Sequence, residues 1–510
     1  MEPVLLGSDS LSAADVVSVA RGERAVAVDE RALPRISEAR SRVEEHVESG
    51  RPIYGITTGF GALAAVRIEA DDLERLQRNL IRSHAAGAGE PLPREIVRGM
   101  LLLRARALAA GRSGVRPEVV ERFAALLNAG ITPAVPSRGS VGASGDLAQL
   151  AHIALTLMGE GEVLTEGGTE PSAEALRRAG IEPLSLQAKE GLALINGTEG
   201  MLAVGILAHH DASELLRTAD VSGAMTIESA LGTDRPFAED LMELRPHPGQ
   251  AASAENLRHL LEGSEIVAGH RESEHAVQDP YSMRCAPQVH GAARDAHAFA
   301  GEVFSRELGS VVDNPVILPD GRVESNGNFH GEPLAQALDF LGIAMTGLAS
   351  IAERRTAWIL GIGAERGLPP FLSLEPGLGS GYMLAQYTQA ALVSECKGLA
   401  HPSSVDSIPT SGLQEDHVSM GWHGALRARE VVGRVRTVIA AEAMCGAQAL
   451  DLRRPAAPGR GTEAARAAIR DRVPFLEHDR EVAADLREVE AMLRDGSLVG
   501  AVEEAVGALR

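Results

Sequence analysis

Ala143-Ser144-Gly145, inside the Gly/Ser-rich loop 138–146, is a tripeptide whose own backbone can become an electrophile. Attack of the Gly145 nitrogen on the Ala143 carbonyl carbon closes a five-membered ring. Loss of water from that carbonyl, and of the Ser144 hydroxyl by β-elimination, leaves an exocyclic alkene conjugated to an imidazolone. Ser144 supplies the leaving group. Gly145 has no Cβ, so its nitrogen can bend into the required geometry, and Ala143 is small enough not to block closure. The same loop also reads as an ordinary turn, with Asp146 as N-cap of the apolar helical run 147–158.

An electrophilic alkene suits a nucleophilic amine, and the reaction it implies is loss of ammonia from an α-amino acid. The β-proton of such a substrate is barely acidic. A base near the β-carbon, a cation for the carboxylate and groups that recognise the side chain must therefore accompany the electron sink. Candidates stand in glycine-rich or turn contexts. Tyr54, one of four tyrosines, lies in Tyr-Gly-Ile-Thr-Thr-Gly-Phe-Gly. His84 follows Ser83 at a helix end, where a histidine also favours the helix dipole. Asn196 opens Asn-Gly-Thr-Glu, a turn. In Gln278-Asp279-Pro280-Tyr281-Ser282-Met283-Arg284-Cys285, Tyr281 and Arg284 are three apart and share a face if a helix starts after Pro280. Arg284 can fork onto a carboxylate or form a structural ion pair. Phe329, in Asn-Gly-Asn-Phe-His-Gly-Glu, lines a pocket or the core. Gln414-Glu415-Asp416-His417-Val418-Ser419-Met420 carries adjacent acids and a histidine, but no second histidine at metal-ligand spacing, so no metal site is expected.

The elements that must position these groups are mostly helices. Helical spacing runs through 13–21, 35–47, 71–84, 98–110 and 117–129, the last with Pro at its start and Gly130 at its end. The segment 51–61 is too rich in Gly and Thr for a helix and reads as a loop. After the tripeptide, 190–195 runs into the Asn196-Gly197 turn, and 201–219 is helical. The longest apolar stripes fall at 332–360, 383–400 and about 415–453, and stripes of that length bury against one another in bundles. The expected organisation is an N-terminal part, 1–112, carrying the Tyr54 loop, and a helical body, 113–510.

Composition narrows the class. Aromatics are 3% of the 510 residues, which favours helix over sheet. A net charge of −21 argues against nucleic acid or an anionic membrane as partner. Cys285, Cys396 and Cys445 are odd in number and far apart, as in a reducing cytoplasm. No signal peptide is evident. The nearest approach to a membrane span, 343–351, is cut off by Glu353, Arg354 and Arg355.

Taken in order, Gly-Ala-Ser-Gly-Asp-Leu, Leu-Ile-Asn-Gly-Thr, Gln-Asp-Pro-Tyr-Ser-Met-Arg-Cys, Gly-Asn-Phe-His-Gly and Gln-Glu-Asp-His-Val-Ser-Met resemble the aromatic amino acid ammonia-lyases that carry a methylidene-imidazolone ring. The resemblance runs from Tyr54 to about Arg453. It implies a mainly α fold with a long central helical bundle, a smaller mixed N-terminal part and an aspartase/fumarase-like architecture. It also implies a cytoplasmic homotetramer whose sites are shared between subunits, with a ring formed from Ala143, Ser144 and Gly145 and no external cofactor. By the same resemblance Tyr54 is the base for the β-proton and Tyr281 the second catalytic tyrosine. Arg284 binds the carboxylate, Asn196 and Gln278 hold the ring oxygen or the substrate, and Phe329 walls the pocket. The substrate's amine or its imidazole adds to the alkene. His84 is shared by histidine- and tyrosine-specific members. Glu415 is the mark of the histidine-specific ones, which convert L-histidine to urocanate and ammonia as the first step of histidine degradation. Leu413 departs from the Asn that often precedes Gln-Glu-Asp-His. The site's tyrosines are expected to have pKa values shifted toward catalysis. The other readings are a tyrosine ammonia-lyase or aminomutase on the same scaffold, a fumarase/aspartase-type lyase without the ring, and a non-catalytic helical scaffold.

Overall fold

Stretches rich in Leu, Ala, Arg and Glu become helix throughout, and 62% of the described residues are helical. The structure, a computed structural model, describes residues 2–8, 11–50, 52–143, 145–272 and 277–510. Ser144 lies outside the described residues. Strands among the described residues are two to four residues long and pair only as two-stranded sheets.

Two compact units divide the chain. The first comprises Met1–Leu207, Gly301–Asp339 and Pro402–Leu426; the second comprises Ala208–Ala300, Phe340–His401 and Arg427–Arg510. Both units draw on segments far apart in sequence, and the boundary expected after residue 112 falls within the first.

All the short sheets belong to the first unit. One of them, Ala88–Pro91 against Pro136–Arg138, joins the segment after His84 to the segment before the tripeptide. The Arg94–Ala109 helix is buried on nearly every side, through Ile96, Val97, Met100, Leu101, Leu103 and Leu108. Drawing each of these large side chains out of water contributes about 2 kcal/mol. Pro117–Asn128 packs on it, with Pro at the first turn and Val119, Val120, Phe123 and Leu127 buried. Three further helices, Leu73–His84, Leu147–Leu157 and Glu190–Ile195, pack pairwise against one another, and each ends or begins at a residue of the candidate site.

The second unit is helical. Its parts of Glu199–Ser229, Glu332–Leu360 and Gly421–Asp451 bury Val221, Met225, Leu341, Met345, Leu348, Val435, Ile439 and Met444. Gln389, on Met383–Leu399, donates from its amide to Thr356 Oγ1 and to the Val438 carbonyl, so that helix is tied to two others by hydrogen bonds as well as packing. Glu332–Leu360 is long and apolar enough to cross a membrane by length and composition alone. The sequence reading sets the segment aside for its charges, and 56% of its most apolar window is buried within the protein, as in a core helix.

Helix boundaries follow the periodicity to within a few residues, with two exceptions. The run expected over 201–219 extends as helix over Glu199–Ser229. The stripe read as beginning near 415 begins as helix only at Gly421. Glu415 instead forms an antiparallel bridge with Thr410, and Ser411, Gly412, Leu413 and Met420 have positive φ, which no helix accommodates. The backbone of the stretch is spent elsewhere: Met420 N–H donates to the Val141 carbonyl and Val418 N–H to Ser407 Oγ.

His209 and His297 stack in the second unit with ring centroids 3.6 Å apart. Each Nε2 donates to the other's backbone carbonyl, at 3.1 and 2.9 Å. Burial, with His209 and Arg294 adding to it, holds His297 down to about 4. The unfolded chain therefore takes up a proton near pH 6.5 that the folded protein refuses. Stability is lost as pH falls from about 6.5 to about 4, by about 3 kcal/mol for this residue. Melting temperatures at pH 7 and pH 4.5 should converge more in His297→Gln than in the wild type. An equal acid shift in both would remove His297 from the acid response.

Candidate active site

The tripeptide loop is held on every side within the first unit. Gly145 has φ +74 and pairs with Gly197 in a parallel bridge, and Asp146 N–H donates to the Gly197 carbonyl at 2.8 Å. A Cβ on Gly145 would collide with that carbonyl, so glycine is required there by both conformation and space. The Gly142 carbonyl accepts from Gly331 N–H at 3.0 Å and from Ser419 Oγ at 2.8 Å. The Gly-Asn-Phe-His-Gly and Gln-Glu-Asp-His-Val-Ser-Met motifs are thereby fastened to the loop. Trp422 Nε1 donates to the Ser137 carbonyl just upstream. Ala143 is buried.

Asp146 stands at the N-cap position of Leu147–Leu157 but does not cap it. Its carboxylate turns instead to the start of another helix, accepting from Met201 N–H at 2.8 Å and from Ser140 Oγ at 2.9 Å. Burial pushes this carboxyl up to about 7, against the pull of those donors. The loop is thus neither a plain turn nor a capped helix start. It is pinned by a buried acid that the sequence reading assigns to a simple cap.

Leu147 belongs to the wall of a cavity of about 630 Å³ that also includes Tyr54, His84, Asn196 and Glu415. Four of the expected site residues therefore meet in one cavity of the first unit. Apolar side chains, among them Phe60, Leu63, Leu76, Leu80 and Leu192, make up most of the rest.

Tyr54 sits on a loop folded back on itself: Thr57 Oγ1 accepts from Ile53 N–H, and Gly59 N–H donates to the Val66 carbonyl. The Tyr54 hydroxyl accepts from Gly61 N–H at 3.4 Å. Burial raises its pKa, and the Glu415 charge raises it further. This shift runs opposite to the expected one. The reason is first that the cavity wall takes the phenol out of water, and second that it brings the Glu415 carboxylate near it.

His84 ends the Leu73–His84 helix. Its Nδ1 lies 2.9 Å from the Leu80 carbonyl, which can only accept, so Nδ1 carries the proton and Nε2 is left as an acceptor. Burial lowers its pKa and keeps the ring neutral. Glu415 is fixed by Thr410, whose hydroxyl donates to its Oε2 at 2.7 Å and whose N–H donates to its carbonyl at 2.9 Å. Leu413, two residues before it, is exposed with φ +71, a conformation Asn adopts more readily than Leu.

Asn196 Nδ2 donates to the Asn314 carbonyl at 2.8 Å, while its Oδ1 is buried with no partner. An amide oxygen left unpaired in a cavity wall is ready for a donor on a bound molecule. Phe329 is half-buried, near the Gly331 junction with the tripeptide loop, and is not among the residues lining the cavity.

Gln278, Tyr281 and Arg284 belong to the second unit. The expected shared face is present: the Arg284 guanidinium lies 4.4 Å from the Tyr281 ring centroid. Arg284 Nε donates to the Asp279 carbonyl. Gln278 is exposed, and Tyr281 is 71% exposed. Arg355 Nη1 donates to the Ser282 carbonyl and to His290 Nε2, and His290 Nδ1 donates to Asp220. A buried polar chain thus steadies the turn that carries Tyr281. Among the described residues, no group of His, Cys, Asp and Glu is arranged to hold a metal ion.

Residues 11–471 match the family described as "Aromatic amino acid lyase". The chain is 50% identical to the histidine ammonia-lyase of Streptomyces coelicolor over 512 residues, covering 100% of both chains. Among solved structures it is similar to the histidine ammonia-lyase of Trypanosoma cruzi, with a TM-score of 0.91 at 40% identity over 99% of this chain and 96% of that one. It is also similar to the tyrosine aminomutase of Streptomyces globisporus, with a TM-score of 0.94 at 38% identity over 100% of both.

Proposed function

The chain belongs to the aromatic amino acid lyase family, and from that premise we infer that it deaminates L-histidine to urocanate and ammonia, the reaction of a histidine ammonia-lyase. The full-length likeness to histidine ammonia-lyases supports this reading. The observation that carries it is the meeting of Glu415 and neutral His84 in one cavity with Tyr54 and Asn196.

The methylidene-imidazolone that Ala143, Ser144 and Gly145 would form supplies an electrophilic alkene for the substrate's amine. The residues present fit such a group. The Gly145 and Gly197 backbones approach too closely for a side chain, and Asn196 keeps one amide N–H and an unpaired Oδ1 beside them for the ring oxygen and the amine.

The chain's own residues then divide the work. Glu415, held by Thr410, accepts an imidazole N–H. His84 offers a second acceptor through Nε2. A protonated imidazole brings two N–H donors to these two acceptors and a positive charge to Glu415, whereas a phenol brings a single O–H, so the pair suits an imidazolium better than the tyrosine ring. Tyr54, once ionised, removes the β-proton. Arg284 of the Tyr281–Arg284 turn suits the substrate's carboxylate. The leucines and Phe60 exclude water. Exposed Tyr281 supports the further reading that the working enzyme is a homotetramer with shared sites. Three free cysteines fit a cytoplasmic setting.

The test offers L-histidine, L-tyrosine and L-phenylalanine separately and follows the ultraviolet absorbance of the conjugated acid. Histidine alone should turn over. Turnover of tyrosine with histidine inert would overturn the assignment. Chiral analysis for a β-amino acid product separates a lyase from an aminomutase.

A further inference from the structure

Lys189 is one of two lysines among the 49 Lys and Arg residues of the chain. It is fully buried, and its backbone is left-handed at φ +73, a costly conformation for a residue with a Cβ. Its Nζ donates to Asp313 Oδ2 at 2.8 Å, with both side chains sealed from solvent. Asp313 uses its other oxygen to accept from Asn314 N–H at 2.7 Å. The Asn314 carbonyl is the acceptor that orients the Asn196 amide.

A second buried pair closes the arrangement from the other side. Arg104 pairs with Glu199 at 2.7 Å and donates from the same Nη1 to the Asn196 carbonyl at 3.1 Å and to the Val312 carbonyl at 3.2 Å. The Asn196 turn and the 312–314 segment are thus bridged by a cation on each side, and the Asn196 side chain spans the gap between them. Lys189 also begins the Glu190–Ile195 helix, which ends at Asn196. A Cβ on Gly197 would strike both Glu199 and Arg104, so the turn is fitted against this pair without slack.

We propose that Lys189 and Asp313, with Arg104 and Glu199, are positioning residues that fix the Asn196 amide and leave its Oδ1 aimed into the cavity. A buried ion pair returns little net stability, because desolvating two charges offsets most of their attraction. Two such pairs converging on one residue, Asn196, through its backbone carbonyl and through the acceptor of its amide N–H, are accounted for by orientation. The proposal rests on the assignment of Asn196 to the substrate site.

The test is a double-mutant cycle on the full-length protein, read as steady-state kcat and KM for L-histidine. Asp313→Asn keeps the shape and removes the charge. It should lower kcat by roughly tenfold or more while KM moves less than about threefold. In an Asn196→Ala background the same change should cost less than about twofold, because the group it acts through is gone. Lys189→Met combined with Asp313→Leu replaces the pair with apolar side chains of similar reach. It should fold, melt near the wild-type temperature and still lose kcat. Equal losses with and without Asn196 would overturn the proposal, as would unchanged kcat or failure of every variant to fold. A wild-type protein inert toward histidine but active on tyrosine would strike the substrate assignment and leave this cycle to be read on tyrosine.

Discussion

Ser144→Ala yields a folded protein that releases no measurable ammonia from L-histidine. The serine hydroxyl is the only group in Ala143-Ser144-Gly145 that can leave by β-elimination, so the alanine variant has no route to the alkene. The loop itself is held by contacts that do not involve residue 144. These are the Gly145–Gly197 bridge, the bond from Asp146 N–H to the Gly197 carbonyl, and the two donors on the Gly142 carbonyl. The fold should therefore survive, with an unchanged far-ultraviolet circular dichroism spectrum and melting temperature. Loss of the sink should lower kcat by roughly a thousandfold or more, which asks the group to supply about 4 kcal/mol of the barrier. Intact-mass measurement gives an independent reading. The wild-type protein should weigh less than its sequence by two water molecules, and the variant should match its sequence. Full activity in the variant, or a wild-type mass equal to that of the unmodified chain, removes the ring from the chemistry.

The parts of the site visible in the sequence are those whose signal is local. Leu73–His84 and Leu147–Leu157 announce themselves by apolar spacing, and the Asn196-Gly197 turn by its dipeptide. Gly145 is legible because the chemistry demands a residue without Cβ, although the collision with Gly197 that also demands it is not. What stays hidden depends on residues far apart in the chain. Asp146 reads as an N-cap from its position, and nothing nearby reveals that its carboxylate belongs to Met201 N–H. Lys189 pairs with Asp313 and Arg104 with Glu199, separations that no periodicity encodes. A faint signal did exist for Lys189: a lysine in a chain that otherwise uses arginine almost everywhere marks a slot shaped for an ammonium. Glu415 was legible as a residue and illegible as a conformation. Its stretch continues the apolar stripe of Gly421–Asp451, and only the Thr410 bridge and the positive φ values show the helix starting later. Within the cavity the expected direction of the Tyr54 shift failed for a related reason. Composition says which groups are present but not how deeply the phenol is buried or which charge ends beside it.

Glu415→Gln separates recognition of the imidazole from the proton transfer. The substitution keeps the size of the side chain and an acceptor oxygen for Thr410, and removes the charge. A hydrogen bond to a charged partner contributes about 1.5–3 kcal/mol, so kcat/KM for L-histidine should fall by roughly 10- to 100-fold. The pH profile carries the second half of the prediction. Tyr54 acts as a base only when ionised, so activity should rise with pH through its pKa. Burial raises that pKa first and the Glu415 charge raises it further. Neutralising Glu415 should move the rising limb to lower pH, even as the plateau drops. His84 responds to the same charge in the opposite functional sense. Glu415 favours its protonated form against the burial that keeps it neutral. In the variant His84 should stay neutral to lower pH, so no new acid limb should appear. A fallen plateau with an unmoved rising limb would leave Glu415 in recognition and remove Tyr54 from the base role. An unmoved limb and an unmoved plateau together would take Glu415 out of the site and reopen the tyrosine reading.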